Sequence, residues 1–483
     1  MTFKLRVRLL LCYIWPIVLY GCEAWTIKED TRRRLEAFEM WCYRRMLRIS
    51  WIQEVSNEKI LIMAFTFANL KYLPLLVFQI ILMVLYYMFV KYGGEEDHNI
   101  RGFEDTHVMI FIGFGFLMTF LKKYSYSALG FNWFLAALVI QWALLCQSFY
   151  HMKDNTIYLT KKLLLEADIM SATVLITFGA VLGVASGLQL LFIAIIETAV
   201  GCFNFWLVED VFKAADVGGS IAIHAFGAYF GLGVSLAMKG KKKKSETAEN
   251  VVDLNGPSYM SDVTAMIGSI FLWIYWPSFN SALTNSNTEY QRAVANTYLA
   301  LAAATVTTFV MSSVLSHHHG KLDMVHVQNS TLAGGVAVGS VCNMYIGAGT
   351  AIAIGMGAGV LSVLGYQYLT PLLTRIGIGD TCGVHNLHGM PGVFSGILTA
   401  VFAGLATKEE YGADLTGVFE AMNEEGVART ASDQALNQFL SLIVTLVVSF
   451  IAGTITGFLA RAPFLEPLKD NEEYNDEVNW ELP

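Results

Sequence analysis

Two stretches of the chain repeat one arrangement of an acid, glycine and a histidine, and these residues are the best suited to chemistry. Asp216 precedes His224 and Asp380 precedes His388, in both cases by eight residues. Eight residues are about two turns of a helix, so the acid and the histidine can face the same side. Both stretches open long apolar runs, where ionisable side chains are costly and therefore mark candidate functional sites.

Buried histidines suit a pathway for a small neutral or weakly basic solute. Burial favours the neutral imidazole, which can donate one hydrogen bond and accept another. Two such rings can bond to each other and to a passing solute without placing a fixed positive charge in the path. A lone histidine on an apolar face usually belongs to the core, but a matched pair favours a pathway. A metal site is the alternative interpretation, and it lacks a third ligand of suitable type and spacing.

The acid of the first stretch has a structural interpretation beside the functional one. Aspartate near the start of a helix caps free backbone N–H groups and suits the positive end of the helix dipole. We expect this capping role for Asp216. A second role, in which the carboxylate stabilises a cation near the path, is compatible with it.

The elements that must position these residues are membrane helices. The chain is 55% hydrophobic and only 15% charged, which is far more apolar than a soluble domain. Apolar runs of roughly 18 to 22 residues recur along it, and each can cross a bilayer core of about 30 Å as a helix. They predict an all-α, polytopic membrane protein with about twelve transmembrane helices. The predicted spans are 72–90, 108–121, 130–150, 169–185, 188–208, 218–237, 261–277, 293–314, 324–345, 347–366, 383–405 and 439–459.

The order and charge of these spans predict their topology. Each half of the spans contains one acid–histidine stretch, as expected if an inverted repeat surrounds a central pore. The basic run 239–244 marks the cytoplasmic side, because lysine and arginine accumulate there. Both termini are then cytoplasmic, and the acidic loops 95–105 and 409–425 lie outside. The residues that fall on the side of the basic run are Lys122, Lys123, Lys321 and Arg375, whereas Lys161 and Lys162 fall outside.

Composition and spacing exclude several other classes of function. The net charge of −8 comes largely from acidic loops and the C-terminal tail, so it predicts no nucleic-acid partner. The seven cysteines include no CxxC pair, which argues against a disulfide framework or a cysteine metal site. The spans contain no nucleophile–base constellation, so we expect neither an enzyme nor a cofactor.

Residues 1–60 differ in kind from the rest of the chain. They contain a dense basic and aromatic stretch, and the words YGCEAWTIKED and RRLEAFEMWCYRRMLRISW. These words resemble the tail end of reverse-transcriptase polyproteins of LINE-type retrotransposons. The resemblance implies a retrotransposon-derived extension or a gene-model fusion, without activity of its own. The alternative is an amphipathic helix on the cytoplasmic membrane surface, since arginine beside tryptophan and leucine suits that position.

Six sequence motifs in the spans resemble those of one family of membrane proteins. They include GGSIAIHAFGAYFGL from Gly218, MIGSIFLWIYWPSFNSA from Met266 and DTCGVHNLHGMPGV from Asp380. Together they resemble the Rhesus glycoproteins of the ammonium transporter superfamily over residues 70–465. The resemblance implies a transporter domain at 61–465, followed by an acidic cytoplasmic tail at 466–483. It also implies a homotrimer in the plasma membrane, with one hydrophobic pore per subunit that conducts ammonia and has carbon dioxide as a second candidate solute.

The resemblance assigns the central residues of that pore. Its twin histidines fall on His224 and His388, and the acid ahead of the first falls on Asp216. His385 is the neighbour most easily mistaken for the second histidine. We choose His388 because the Gly-Met-Pro-Gly that follows it matches the family's word after its pore histidine. Asp380 is expected to fix the end of its helix.

The outer gate implied by the resemblance differs in one position. The family stacks two phenylalanines above the histidines; Phe279 matches one, and Ile169 stands at the other. An aliphatic gate still excludes water but offers no aromatic face to a cation, so recruitment of ammonium would rest on Phe279 and Trp276. Asn280 and Asp168 are expected in the vestibule by position.

The predicted function is a passive channel for ammonia or ammonium. The alternative is a non-conducting Rhesus-like protein that acts as a membrane scaffold or an ammonium sensor. Two departures from the family motivate this alternative. One is Ile169 in the gate, and the other is Phe205, where relatives often carry an acid after the asparagine.

Overall fold

The computed structural model describes residues 29–47, 55–57, 59, 71–93, 102–238, 254–316, 318–422 and 428–482. The basic run 239–244, residues 1–28 of the extension, and parts of both acidic loops lie outside this set. The chain divides into two units, Met1–Val84 and Leu85–Pro483. In the first unit, α1 (Glu29–Leu47) carries an exposed ion pair between Arg32 and Glu36 at 3.2 Å.

The described part of the chain is helical almost throughout, which confirms the predicted fold class. A short parallel sheet, which the sequence analysis did not predict, pairs β1 (Val90–Tyr92) with β2 (Ile157–Leu159). The remaining elements are α2 (Leu73–Phe89), α3 (Phe103–Phe120), α4 (Ser125–His151), α5 (Lys161–Ala180), α6 (Gly187–Val211), α7 (Ser220–Met238), α8 (Tyr259–Ser281), α9 (Asn287–Val314), α10 (Met324–Asn329), α11 (Ala333–Gly339), α12 (Ala348–Arg375), α13 (His385–Leu405), α14 (Lys408–Tyr411), α15 (Leu415–Val418) and α16 (Ala431–Leu459).

Every predicted span coincides with one of these helices or with a pair of them. Within the residues that the structure describes, nine helices are long and apolar enough to cross a membrane. The other three predicted spans correspond to α2, to α8 and to the pair α10 and α11. The predicted span 324–345 is wrong as a continuous helix, because α10 ends at Asn329 and α11 begins at Ala333. Such a break is tolerated at membrane depth where the backbone is buried in protein or lines a cavity.

Close helix packing at glycine holds the bundle together. α7 packs against α16, and α9 packs against α12. A Cβ atom at Gly453 of α16 would lie 2.1 Å from the carbonyl oxygen of Phe230 in α7. A Cβ atom at Gly355 of α12 would lie 2.1 Å from the carbonyl oxygen of Ala300 in α9. The absence of a side chain at both positions lets the backbones approach as closely as small residues allow in membrane bundles.

The acidic C-terminal tail packs against the helix ends on the side predicted to be cytoplasmic. The backbone N–H groups of Tyr126 and Ser127, at the start of α4, donate to the carboxylate of Asp476 at 2.9 and 2.7 Å. The Trp480 indole N–H donates to the Ser127 hydroxyl at 2.9 Å. The backbone N–H of Tyr474 donates to the carbonyl of Gly183 at 2.8 Å. The helix cap of α4 therefore comes from a residue about 350 positions away in sequence.

We expect Asp476→Ala to lower the free energy of unfolding by about 0.5–2 kcal/mol, the usual cost of losing an N-terminal cap. The midpoint of thermal unfolding in detergent measures the effect. Asp470→Ala is the matched control, because Asp470 is exposed and lies in the same tail. Equal midpoints for the two variants would contradict a capping role for Asp476.

Candidate functional site

The two acid–histidine stretches fold in the same way. Each histidine lies in a π-helical turn, Ser220–Ala225 at the start of α7 and His385–Gly389 at the start of α13. Such turns occur frequently at functional sites. The glycine three residues after each acid has a left-handed backbone, with φ of 66° at Gly219 and 70° at Gly383. A side chain would be strained in that conformation, which explains the glycine in the repeat.

Both acids cap the backbone that leads to their histidines. The backbone N–H of Ala222 donates to Asp216 at 2.8 Å, and the Ser340 hydroxyl also donates to this carboxylate. The N–H groups of Val384 and His385 donate to Asp380 at 2.8 and 3.0 Å. Burial nevertheless raises the pKa of both carboxyls to about 6, because desolvation outweighs these hydrogen bonds. Both carboxylates thus accept hydrogen bonds from the turns that carry the histidines.

The two histidines meet in the interior. His224 is only 1% exposed and His388 only 3% exposed. The rings are nearly parallel, with an interplanar angle of 15°, centroids 5.1 Å apart and the two Nδ1 atoms 3.2 Å apart. Two neutral rings that bond through Nδ1 must hold opposite tautomers, because one Nδ1 carries the hydrogen and the other accepts it. Their Nε2 atoms then offer one donor and one acceptor to a solute.

Aromatic rings cover the His224 side of the pair. Trp276 lies 5.6 Å from His224 between centroids at an angle of 29°, and Phe279 lies 5.9 Å away at 48°. Within the described part of the chain, His224 Nε2, Trp276 Nε1 and the Asn280 side-chain oxygen are buried without a hydrogen-bond partner. A Cβ atom at Gly335 would lie 2.7 Å from the indole nitrogen. The first turn of α11 therefore presents glycine where the indole needs room.

An apolar cavity lies on the His388 side of the pair. The Phe114 ring stacks on His388 with centroids 6.1 Å apart and an angle of 17°. The cavity beyond measures about 20 Å³, which is room for about one molecule the size of water. Its lining residues include Phe114, Leu175, Ile176, Gly179, Asn329 and His388. A single small molecule can therefore reach one face of the histidine pair.

Of the residues predicted for the outer gate and vestibule, Trp276 and Phe279 contact His224, and the structure places Ile169 and Asp168 on α5. Ile169 is buried in α5, two helical turns before Ile176, and so lies on the helix face that lines the cavity. Asp168 is buried beside it and accepts a hydrogen bond from Nδ1 of His107 at 2.8 Å. The sequence analysis missed His107, because 61 positions separate it from its partner. The only signal in the sequence was that His107 stands at the start of the apolar stretch that forms α3.

His385 takes no part in the pair. Its ring meets Tyr229 edge-on, with centroids 5.8 Å apart and an angle of 89°. The structure thus joins His388, and not His385, to His224. Across the described ranges, no three histidine, cysteine, aspartate or glutamate side chains are grouped so that they could hold a metal ion.

The sequence is similar to proteins of one known family. Residues 66–479 match the family described as the Ammonium Transporter Family. The ammonium transporter Rh type B of Xenopus tropicalis is 43% identical over 432 residues, which cover 84% of this chain and 92% of that protein. The human ammonium transporter Rh type C is 42% identical over 446 residues, which cover 86% of this chain and 91% of that protein.

Solved structures show the same relationship. Rh50 of Nitrosomonas europaea, described as one of the Rhesus protein family of channels, superposes with a TM-score of 0.63 at 32% identity. The match covers 78% of this chain and 90% of Rh50. Candida albicans Mep2 superposes with a TM-score of 0.58 at 19% identity, covering 80% and 88% of the two chains, and shares the fold. The chain belongs to the ammonium transporter family, within its Rhesus branch.

Proposed function

We propose that this protein is a passive membrane channel that conducts ammonia past His224 and His388. The observation that carries the proposal is the buried pair of imidazoles, 3.2 Å apart between their Nδ1 atoms, with aromatic rings on one side and a small apolar cavity on the other. The names of the relatives, which are ammonium transporters and a Rhesus channel, support the choice of solute.

Ammonia suits this path better than ammonium does. Ammonia can donate and accept hydrogen bonds, and the histidine pair offers one acceptor and one donor. Ammonium would have to cross the same apolar stretch as a bare charge, at a cost of several kcal/mol unless a counter-charge accompanies it. The proposed solute of the central path is therefore the neutral molecule, with carbon dioxide as a second small neutral candidate.

The uptake of ammonium into vesicles tests the proposal. Purified protein in proteoliposomes should accelerate the internal alkalinisation that follows an ammonium gradient, relative to protein-free vesicles of the same lipid. The rate should rise in proportion to the protein-to-lipid ratio. Rates no faster than those of protein-free vesicles, with correctly folded protein, would instead favour the non-conducting scaffold or sensor that Ile169 and Phe205 suggest.

Ile169 sets how strongly a cation is recruited at the outer gate. We expect Ile169→Phe to lower the ammonium concentration for half-maximal flux by about threefold, the effect of a cation–π contact of about 0.5–1 kcal/mol. Ile169→Leu is the control, since it keeps an aliphatic side chain of similar size. If the Phe and Leu variants have the same half-saturating concentration, the aromatic face has no influence on recruitment.

We also propose the assembly and placement of the chain. These are a homotrimer in the plasma membrane, cytoplasmic termini, a transporter domain at 61–465 and a C-terminal tail at 466–483. The proposed role is not that of an enzyme, and it includes no cofactor, no metal and no nucleic-acid partner. Residues 1–60 are proposed to derive from a LINE-type retrotransposon. The intact mass of the native protein tests whether these residues are present.

A further inference from the structure

A histidine–aspartate pair lies where α3 meets α5, at the end of the path opposite the cavity. His107 Nδ1 and Asp168 Oδ2 are 2.8 Å apart. The side chain of His107 is 48% exposed, whereas that of Asp168 is 2% exposed. The second carboxylate oxygen, Oδ1, is buried without a hydrogen-bond partner among the described residues. The charge of this carboxylate is therefore directed mainly at one imidazole, which itself remains open to solvent.

The two residues sit on the helices that flank the path. Asp168 precedes Leu175 by seven residues and Gly179 by eleven, so the three share one face of α5. Leu175 and Gly179 line the cavity beyond His388, and the gate residue Ile169 follows Asp168 directly. His107 lies on α3, the helix whose Phe114 stacks on His388. The pair thus stands at the predicted outer mouth, immediately before the apolar stretch.

The orientation of the imidazole suits proton acceptance. Because Nδ1 donates to the carboxylate, the neutral ring keeps Nε2 as a free acceptor. The ring packs between Phe103 and Phe111, with centroid distances of 5.8 and 4.8 Å, and this packing limits its rotation. Nearby, Lys161 and Glu104 form an ion pair at 3.2 Å, so these two residues add no net charge beside the ring. Other charged groups on these helix ends are Asp105, Lys162 and Glu166, and α8 contributes none at this end.

We infer that His107 accepts the proton that ammonium must lose before ammonia enters the apolar path. This inference rests on the proposed function and adds the step that separates the ion from the neutral solute. One N–H bond of ammonium breaks, its electron pair stays on the ammonia nitrogen, and the proton bonds to Nε2 of His107. The imidazolium then returns the proton to water or buffer outside. Asp168 is a positioning residue, which holds the ring through Nδ1 and leaves Nε2 to accept the proton.

The dependence of flux on external buffer tests this role. Wild type and His107→Gln are compared in proteoliposomes at fixed pH and fixed internal buffer, while a membrane-impermeant external buffer is varied. The amide of glutamine can still donate to Asp168 but cannot carry a proton. We expect the variant to be about tenfold slower than wild type at low external buffer, a modest loss for a proton-transfer group. At high external buffer its rate should return to within about twofold of wild type, because buffer then replaces the imidazole as proton acceptor.

A second histidine–aspartate pair on the same predicted face provides the control. His151 Nε2 lies 3.4 Å from Asp210, and the His151 side chain is 56% exposed. His151→Gln should match wild type at every buffer concentration. Asp168→Asn should show the same buffer-dependent slowing as His107→Gln, and Asp168→Glu should recover at least part of the rate at low buffer.

The possible outcomes separate this inference from the proposed function. If wild type conducts and His107→Gln matches it at low buffer, the inference is wrong and the channel proposal stands. If His107→Gln stays slow at high buffer, His107 is structural and the inference is again wrong. If wild type fails to conduct, the proposed function itself fails. Slowing that high buffer removes, absent from His151→Gln, supports the inference.

Discussion

His388→Leu is expected to reduce ammonia flux by about tenfold or more, whereas His385→Leu leaves it within about twofold of wild type. Leucine at 388 removes the ring that bonds to His224 at 3.2 Å and leaves the remaining imidazole buried without its partner. Such an orphaned polar group costs about 1–3 kcal/mol. The solute also loses one of the two hydrogen-bonding atoms that the pair offers.

His385 is the matched control for this comparison. It lies in the same π-helical turn, is largely buried, and contacts Tyr229 rather than the histidine pair. Its link to Asp380 is made by the backbone N–H, which leucine retains. Stopped-flow alkalinisation of vesicles with equal protein content compares the two variants. A greater loss in His385→Leu than in His388→Leu would overturn the assignment of the pore histidine.

Gly453→Ala is expected to lower the free energy of unfolding by about 1–3 kcal/mol, the usual cost of overpacking. The new methyl group would lie 2.1 Å from the carbonyl oxygen of Phe230 and 2.8 Å from its Cα atom. Backbone atoms cannot turn aside as a side chain can, so α7 and α16 must separate. Because α7 begins with the turn that holds His224, flux should fall together with stability.

Gly404→Ala controls for the general effect of alanine in a helix. A Cβ atom at Gly404 of α13 would meet only the methyl group of Ala435, at 3.4 Å. Alanine is favoured over glycine inside a helix by about 1 kcal/mol, so this variant should be as stable as wild type or more so. Thermal unfolding in detergent provides the measurement. If the Gly453→Ala protein is as stable as Gly404→Ala, the interface between α7 and α16 accommodates the extra methyl group and the prediction is wrong.

Features that depend on short stretches of sequence could be predicted. The spacing of acid, glycine and histidine describes one local structure, because the carboxylate caps the turn that carries the histidine two helical turns later. The apolar runs predicted the helices for the same reason, since crossing a bilayer requires a long apolar segment. The choice of His388 over His385 depended on the resemblance to Rhesus proteins, and the structure places His388 beside His224 at 3.2 Å.

Features that depend on contacts between distant segments were missed. The cap of α4 comes from Asp476 in the C-terminal tail, and no local pattern distinguishes this acid from its neighbours there. Gly335 of α11 leaves room for Trp276 of α8, and neither helix shows this contact in its own sequence. His107 and Asp168 meet only because α3 and α5 are adjacent in the fold.

The central claim is that neutral ammonia crosses the membrane past His224 and His388. The most direct measurement is alkalinisation of proteoliposomes under an ammonium gradient, with the membrane potential clamped first at zero and then at about 100 mV, inside negative. We predict a rate well above that of protein-free vesicles and equal at both potentials. A charge that crosses the full field would gain about 2.3 kcal/mol per 100 mV, so a permeating ion should move many times faster at the second potential. A voltage-dependent rate, or one no greater than that of protein-free vesicles, would contradict the claim.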